Sequence, residues 1–408
     1  MKMKTKLKLV SAASLFVSLG LSIGTASAQS YTVTSLVSNP AGAAHFADAQ
    51  LSGPIGLARA SGDEWWVSDS MSGVSTLYIG DGTKQSLVVT VPPANAAPGS
   101  TAMGTPSGVI SNESPADFQV GGTQSHFVFS TLDGAIAAWS PTVGVASGAT
   151  PPSTHAEIVA TGAPGSVYTA IATAFVQGKH YLYAANFGLQ RIDVYDSAFR
   201  PVRFPRADAG PYRFNSDRVF TDNEPFVDDR LPAGFSPYSV QAIGNDIVVA
   251  YAFHPDRRST TPVSGQGLGF VDVFSAEGVL IERLEHGDFM NAPYGIALAP
   301  LDFGGASHEL LVAQTGNDNS GSSGMIAAFD IASGKFHGFL KDTTGKPLVI
   351  PGLHGIAPGN SSPENYDAAG APAAELYFTS FTGQGAQSSS LFGFLTPVAA
   401  DLTKGNDQ

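Results

Sequence analysis

The chain has 408 residues, with 21 Lys and Arg against 34 Asp and Glu, a formal charge of −13 and no cysteine. A surface of that sign repels nucleic acid and anionic lipid, which are held by clustered basic residues. Without cysteine there is no disulfide framework, thiol nucleophile or thiolate metal site, and the core must hold the fold alone.

The first segment carries Lys2, Lys4, Lys6 and Lys8, an apolar run from Leu9 to Ile23, and then Thr25-Ala26-Ser27-Ala28. It reads as a signal peptide over residues 1–28 with cleavage after Ala28, its apolar run being too short for a membrane span. The expected mature protein is secreted or periplasmic, without a membrane anchor. Losing those four lysines would leave 17 basic against 34 acidic residues, a charge of −17. Residues 29–397 are expected to form one domain, and 398–408 a polar C-terminal tail.

Along that domain a short phrase recurs six times: Gly53-Pro54-Ile55-Gly56-Leu57-Ala58, Thr105-Pro106-Ser107-Gly108-Val109, Val167-Tyr168-Thr169-Ala170-Ile171-Ala172, Ser236-Pro237-Tyr238-Ser239-Val240, Ala292-Pro293-Tyr294-Gly295-Ile296-Ala297 and Leu353-His354-Gly355-Ile356-Ala357. Spacings of roughly 50 to 70 residues suit one propeller blade each, with loop insertions. Each phrase is followed by a β-rich second strand, such as Glu64-Trp65-Trp66-Val67-Ser68 or Glu309-Leu310-Leu311-Val312-Ala313, and then by a third strand after a polar turn. Fourth strands follow in five units, as in Ser86-Leu87-Val88-Val89. The sixth has none after Leu395, and Tyr31-Thr32-Val33-Thr34-Ser35-Leu36-Val37 is expected to supply it. The predicted fold is all-β: a six-bladed β-propeller of four-stranded blades, closed by the N-terminal strand so that no sheet edge stays open. No segment has helical periodicity. Polar insertions are expected at about 205–234 and 358–372.

The phrase Asn186-Phe187-Gly188-Leu189-Gln190-Arg191-Ile192-Asp193-Val194-Tyr195-Asp196 is similar to an NHL repeat, a blade type of six-bladed propellers. Val74-Ser75-Thr76-Leu77-Tyr78, Leu231-Pro232-Ala233-Gly234-Phe235-Ser236-Pro237, Gly269-Phe270-Val271-Asp272-Val273-Phe274 and Ala292-Pro293-Tyr294-Gly295-Ile296-Ala297 resemble an uncharacterised family of exported bacterial propellers. That resemblance implies fold and export and brings no activity with it. Members commonly have Trp where this chain has Ile55, Tyr294 and His354.

Aligning the phrases sets Ile55, Ser107, Tyr168, Tyr238, Tyr294 and His354 at one position near the axis. The second-strand ends give Asp69, Thr131, Asn186, Tyr251, Gln314 and Ser380. Where six blades converge, these groups form the expected ligand-binding pocket, for a small molecule or an exported protein partner, with oxygens suited to a hard divalent cation such as Ca²⁺. The competing reading is a water-filled channel whose polar groups bond one another. Six-bladed lactonases of the gluconolactonase type resemble this architecture and hold a cation through carboxylate and amide oxygens. That resemblance implies Asp69 and Asn186 as metal ligands, although no Glu completes the set. His354 would act as general acid or base if a carboxylate oriented it.

Weaker patterns are His126, His180 and His308 at second-strand starts, Gly316-Asn317-Asp318-Asn319-Ser320-Gly321 as a turn with some likeness to a calcium loop, and Asp222, Asn223, Glu224, Asp228 and Asp229 flanked by Arg218 and Arg230. No nucleophile elbow, His-Glu-x-x-His or phosphate loop is present. The reading is therefore an exported binding propeller. The alternatives are a metal-dependent hydrolase or lyase and a scaffold contacting partners through Tyr212-Arg213-Phe214.

Overall fold

A computed structural model describes residues 29–398, apart from 61–63, 145–147, 149, 205–224, 257–258, 317–322, 360–373 and 384–388. The signal peptide, Tyr212-Arg213-Phe214, Arg218, Asp222 to Glu224 and most of the 358–372 insertion lie outside the described residues. Among those described, the only helical element is a 3₁₀ turn at Gly304–Ala306, and no helix is long and apolar enough to cross a membrane.

Six antiparallel sheets follow one another as predicted. Blade one runs Pro54–Arg59, Trp65–Asp69, Val74–Tyr78 and Lys84–Thr90, from the axis outward. Blade two begins at Pro106–Ser111, blade three at Tyr168–Val176, blade four at Phe235–Ile243, blade five at Pro293–Leu298 and blade six at Leu353–Pro358. Each of these inner strands packs on the next, and the sixth returns to the first. Blade six takes its fourth strand from the other end of the described chain. Tyr31–Ser38 pairs antiparallel with Ser389–Pro397, from Tyr31 opposite Pro397 to Ser38 opposite Leu391. A fifth, two-residue strand that the sequence did not signal, Phe46–Ala47, lies parallel outside it.

Blades adhere through large side chains on their facing surfaces. Trp66 of blade one stacks on Phe127 of blade two, with centroids 4.0 Å apart, and leans on Trp139 at 4.7 Å. Trp65 meets Tyr377 of blade six at 4.5 Å. Tyr hydroxyls bridge the same interfaces: Tyr377 donates to the Gly80 carbonyl at 2.9 Å, Tyr183 to Ala276 at 2.8 Å and Tyr31 to Phe303 at 2.9 Å. Each fully buried ring contributes about 1.5–3 kcal/mol by leaving water, and each hydroxyl bond fixes the angle between neighbouring blades.

The repeated phrase has a structural cause. In all six blades the pairing of inner and second strands slips at the phrase, so that two inner residues oppose one outer residue. Such a β-bulge re-aims a side chain out of the ladder. In blades one, two, five and six a glycine follows the bulged residue and permits close approach of the next blade, while blades three and four have Ala170 and Ser239 there. A Cβ on Gly56 or Gly295 would collide with the carbonyl of Ser107 or His354; one on Gly355 would stand 2.6 Å from the Ile55 oxygen.

Candidate functional site

The register corrects one alignment. Pro54 pairs with Asp69, Pro106 with Thr131, Tyr168 with Asn186, Pro237 with Tyr251, Pro293 with Gln314 and Leu353 with Ser380. The second-strand ends are thus equivalent, as expected. Tyr168, however, belongs with the prolines, and Thr169 is the residue that joins Ile55, Ser107, Tyr238, Tyr294 and His354. The missing Pro in blade three shifted the sequence alignment by one.

The bulged residues fill the axis. Tyr294 of blade five donates its hydroxyl to the Thr169 carbonyl of blade three at 2.7 Å, spanning a blade that lies between them. Tyr238 meets Tyr294 edge-on at 5.2 Å, Tyr294 meets His354 at 5.7 Å, and Ile55 of blade one packs into the same cluster. The Ser107 hydroxyl donates to the Tyr168 carbonyl at 2.6 Å. All are buried. This end of the ring is a plug of aromatic rings and short hydrogen bonds. His354 has its Nδ1 2.7 Å from the Gly352 carbonyl, so a backbone oxygen orients it, and it stacks on Phe381. Burial, opposed by that hydrogen bond, lowers its pKa to about 4.

The second-strand ends find their partners mostly within their own blades. Asp69 Oδ2 accepts from the Thr76 hydroxyl at 2.7 Å and from its N–H at 3.2 Å. Burial, opposed by those bonds, holds its carboxyl well above the usual range. Asn186 donates to Asp193 at 2.7 Å and to Ser166 at 2.9 Å, while its oxygen accepts from the N–H groups of Val167 and Leu189. Asp193 also accepts from Tyr168, whose hydroxyl lies 2.7 Å from that of Tyr195. Thr76 and Asp193 occupy the same third-strand position, opposite Val67 and Ala184, so one polar pairing repeats in blades one and three. Thr131 bonds Ala135, and the Gln314 oxygen accepts from Asn291. Ser380 is buried opposite Leu353. This donor set does not fit a divalent cation: the amide oxygen of Asn186 already serves two N–H groups, and no group of three His, Asp or Glu side chains that could hold a metal exists among the described residues. The three second-strand histidines diverge, with His126 and His308 exposed and His180 beside Asp117 at 3.3 Å.

The opposite end of the ring is open. Where the inner strands finish, a cavity of about 690 Å³ is walled by all six blades: Leu57 and Arg59, Val109 and Ser111, Ala172 and Thr173, Gln241 and Ile243, Ile296 and Leu298, Ile356 and Pro358. Aliphatic side chains make up the greater part of its wall, and polar groups enter from several blades: the Ser111 and Thr173 hydroxyls, Arg59, whose guanidinium lies 4.9 Å over the Trp65 ring and donates to the Gly359 carbonyl, Gln241, and Asp302 at the exposed rim. Trp65 itself lines the cavity, and its indole N–H is buried with no hydrogen-bond partner among the described residues. None of the side chains expected to form the pocket lines this funnel. The signal that could have found it lies in the residues after each glycine, Leu57 to Arg59 and their counterparts, where the phrase turns from small to aliphatic.

No protein-family model matches the chain. The uncharacterised protein R640 of Acanthamoeba polyphaga mimivirus is 30% identical over 240 residues, covering 59% of this chain and 39% of that protein. Protein R648 of the same virus, also uncharacterised, is 29% identical over 178 residues, covering 43% and 39%. The chain thus spans 39% of the length of these relatives, which are viral rather than bacterial. Among solved structures, a PQQ-bound aldose sugar dehydrogenase from Streptomyces coelicolor aligns with a TM-score of 0.47 at 13% identity, over 91% of this chain and 98% of that one. A streptogramin B lyase gives 0.42 at 13%, over 91% and 98%. A protein of unknown function from Bacteroides thetaiotaomicron gives 0.49 at 11%, over 90% and 76%.

Proposed function

We propose that this propeller is a binding module whose central funnel takes a compact, mostly apolar molecule. The observation that carries the reading is the 690 Å³ cavity walled by all six inner strands and stopped at its base by the Tyr294 plug. Small-molecule sites are clefts of about 300–1,000 Å³, dominated by apolar walls with a few polar groups that fix orientation. Arg59, Gln241 and Asp302, with the Ser111 and Thr173 hydroxyls, are the groups that would orient such a ligand. A metal-dependent hydrolase has no donor set behind it among the described residues.

Titration with anilinonaphthalene sulfonate, an apolar ring system bearing one anionic group, tests this reading. One saturable site is expected, weakened about tenfold, or 1.4 kcal/mol, when Thr173→Phe or Ser111→Phe narrows the wall. Folded variants that bind the dye as tightly as the parent would contradict it.

A further inference from the structure

A second cavity, of about 410 Å³, lies off the axis, lined by residues of blade four together with Gln190 of blade three and 226–228 of the segment leading into blade four. Tyr251, at the end of strand Asp246–Phe253, and His254 just beyond it both line this space, and both are buried, at 3% and 1% exposure. The His254 ring stacks on Phe187, with centroids 3.8 Å apart, and its Nε2 sits 2.9 Å from the Ser259 carbonyl. A carbonyl oxygen only accepts, so Nε2 carries the hydrogen, and in the neutral ring Nδ1 is left as an acceptor. That Nδ1 has no hydrogen-bond partner among the described residues, and neither has the Tyr251 hydroxyl.

Two buried polar atoms without partners, on side chains that line one cavity, are costly unless something entering the cavity pairs with them. What enters must bring an O–H or N–H for Nδ1 and a second group able to exchange a hydrogen bond with a phenol. The one charged residue of the wall is Asp228, and it is paired with Arg283 at 2.5 Å and Arg230 at 3.3 Å, neither of which lines the cavity, so no unpaired charge faces it. The remaining surface is apolar, with Phe226, Leu231, Phe235 and Pro237 offering flat faces. We propose that this cavity binds a small neutral polyol, such as a sugar ring, with one hydroxyl donating to Nδ1 of His254, another paired with the Tyr251 hydroxyl, and the C–H face resting on the aromatic and proline side chains. This site is separate from the funnel and does not depend on what the funnel binds.

The test is titration of the full chain with D-glucose and with myo-inositol, followed by the ¹⁵N resonances of the histidine rings. Saturable binding of at least one is expected, moving the Nδ1 signal of His254 as it gains a donor, weakened about tenfold or more by Tyr251→Phe and by His254→Phe, and unaffected by Thr173→Phe. The wild-type Nδ1 signal keeps the test decisive where a variant fails to fold. An unmoved signal with both compounds would overturn the proposal, as would binding that persists unchanged in both variants. A crystal structure in which water alone pairs Nδ1 and the Tyr251 hydroxyl, undisplaced by either compound, would do the same.

Discussion

The two ends of the inner ring are built from the same six strands, yet one is sealed and the other is open. At the sealed end a bulge turns one residue of every blade inward; Ser107 and Thr169 are small, but Tyr238, Tyr294, His354 and Ile55 are large enough to meet across the axis. At the open end the ladder has regained its register, and aliphatic residues such as Leu57, Val109 and Ile356 line a wall without reaching the centre. The difference teaches that closure here depends on side-chain size at a single repeated position. In four of the six blades the residue beside it is a glycine, Gly56, Gly108, Gly295 or Gly355, where a Cβ would collide with the neighbouring inner strand; blades three and four have Ala170 and Ser239 there.

The largest expected loss comes from enlarging the ring. Gly56→Val places carbon against the Ser107 carbonyl, which is backbone and cannot swing away, and should cost more than about 4 kcal/mol; an unchanged melting temperature would show that the ring can dilate. Removing the plug comes next. Tyr294→Ala should cost about 3–4 kcal/mol through the cavity it leaves, whereas Tyr294→Phe, which loses only the bond to Thr169, should cost about 1 kcal/mol in urea unfolding. Equal losses from the two variants would mean that the ring does not fill the axis.

A smaller effect distinguishes the sealed end by pH. Above about pH 6.5 His354 is neutral in folded and unfolded chains alike and contributes no pH dependence. As pH falls toward its folded value of about 4, the unfolded chain takes up a proton that the buried ring refuses, and stability is lost. Between pH 7 and pH 5 the loss is about 2 kcal/mol, and His354→Phe should remove it. An acid limb unchanged in that variant would place the ring in contact with water. The smallest effect belongs to the open end, where Thr173→Phe should shift stability by no more than about 0.5 kcal/mol while blocking the funnel. A loss of several kcal/mol would show that the wall is packed rather than open.

The fold was legible because propeller repeats leave turn, glycine and apolar residues at fixed places, and even the closing strand Tyr31–Ser38 could be inferred from the blade that lacked one. The equivalence of Asp69, Asn186 and Gln314 could be read for the same reason. Their surroundings could not. Whether a polar residue faces the axis or its own blade depends on a bulge and on the hydrogen-bonding side chain that the third strand offers two residues along: Thr76 for Asp69, Asp193 for Asn186. Tyr168 shows the limit most clearly, since a one-residue shift moves a side chain from the plug into the interface between blades. Tyr251 was expected as a binding residue from its place at a second-strand end, but the off-axis cavity it shares with His254 was not, because that space joins the strand to a segment that follows another blade.

The contrast between a sealed and an open end is tested most directly by a crystal structure that resolves ordered solvent along the axis. The account predicts solvent entering the funnel as far as Leu57, Val109, Ile296 and Ile356 and stopping at the Tyr294 hydroxyl bonded to the Thr169 carbonyl. A funnel filled by side chains, or an axis with solvent running from one face to the other, would contradict it.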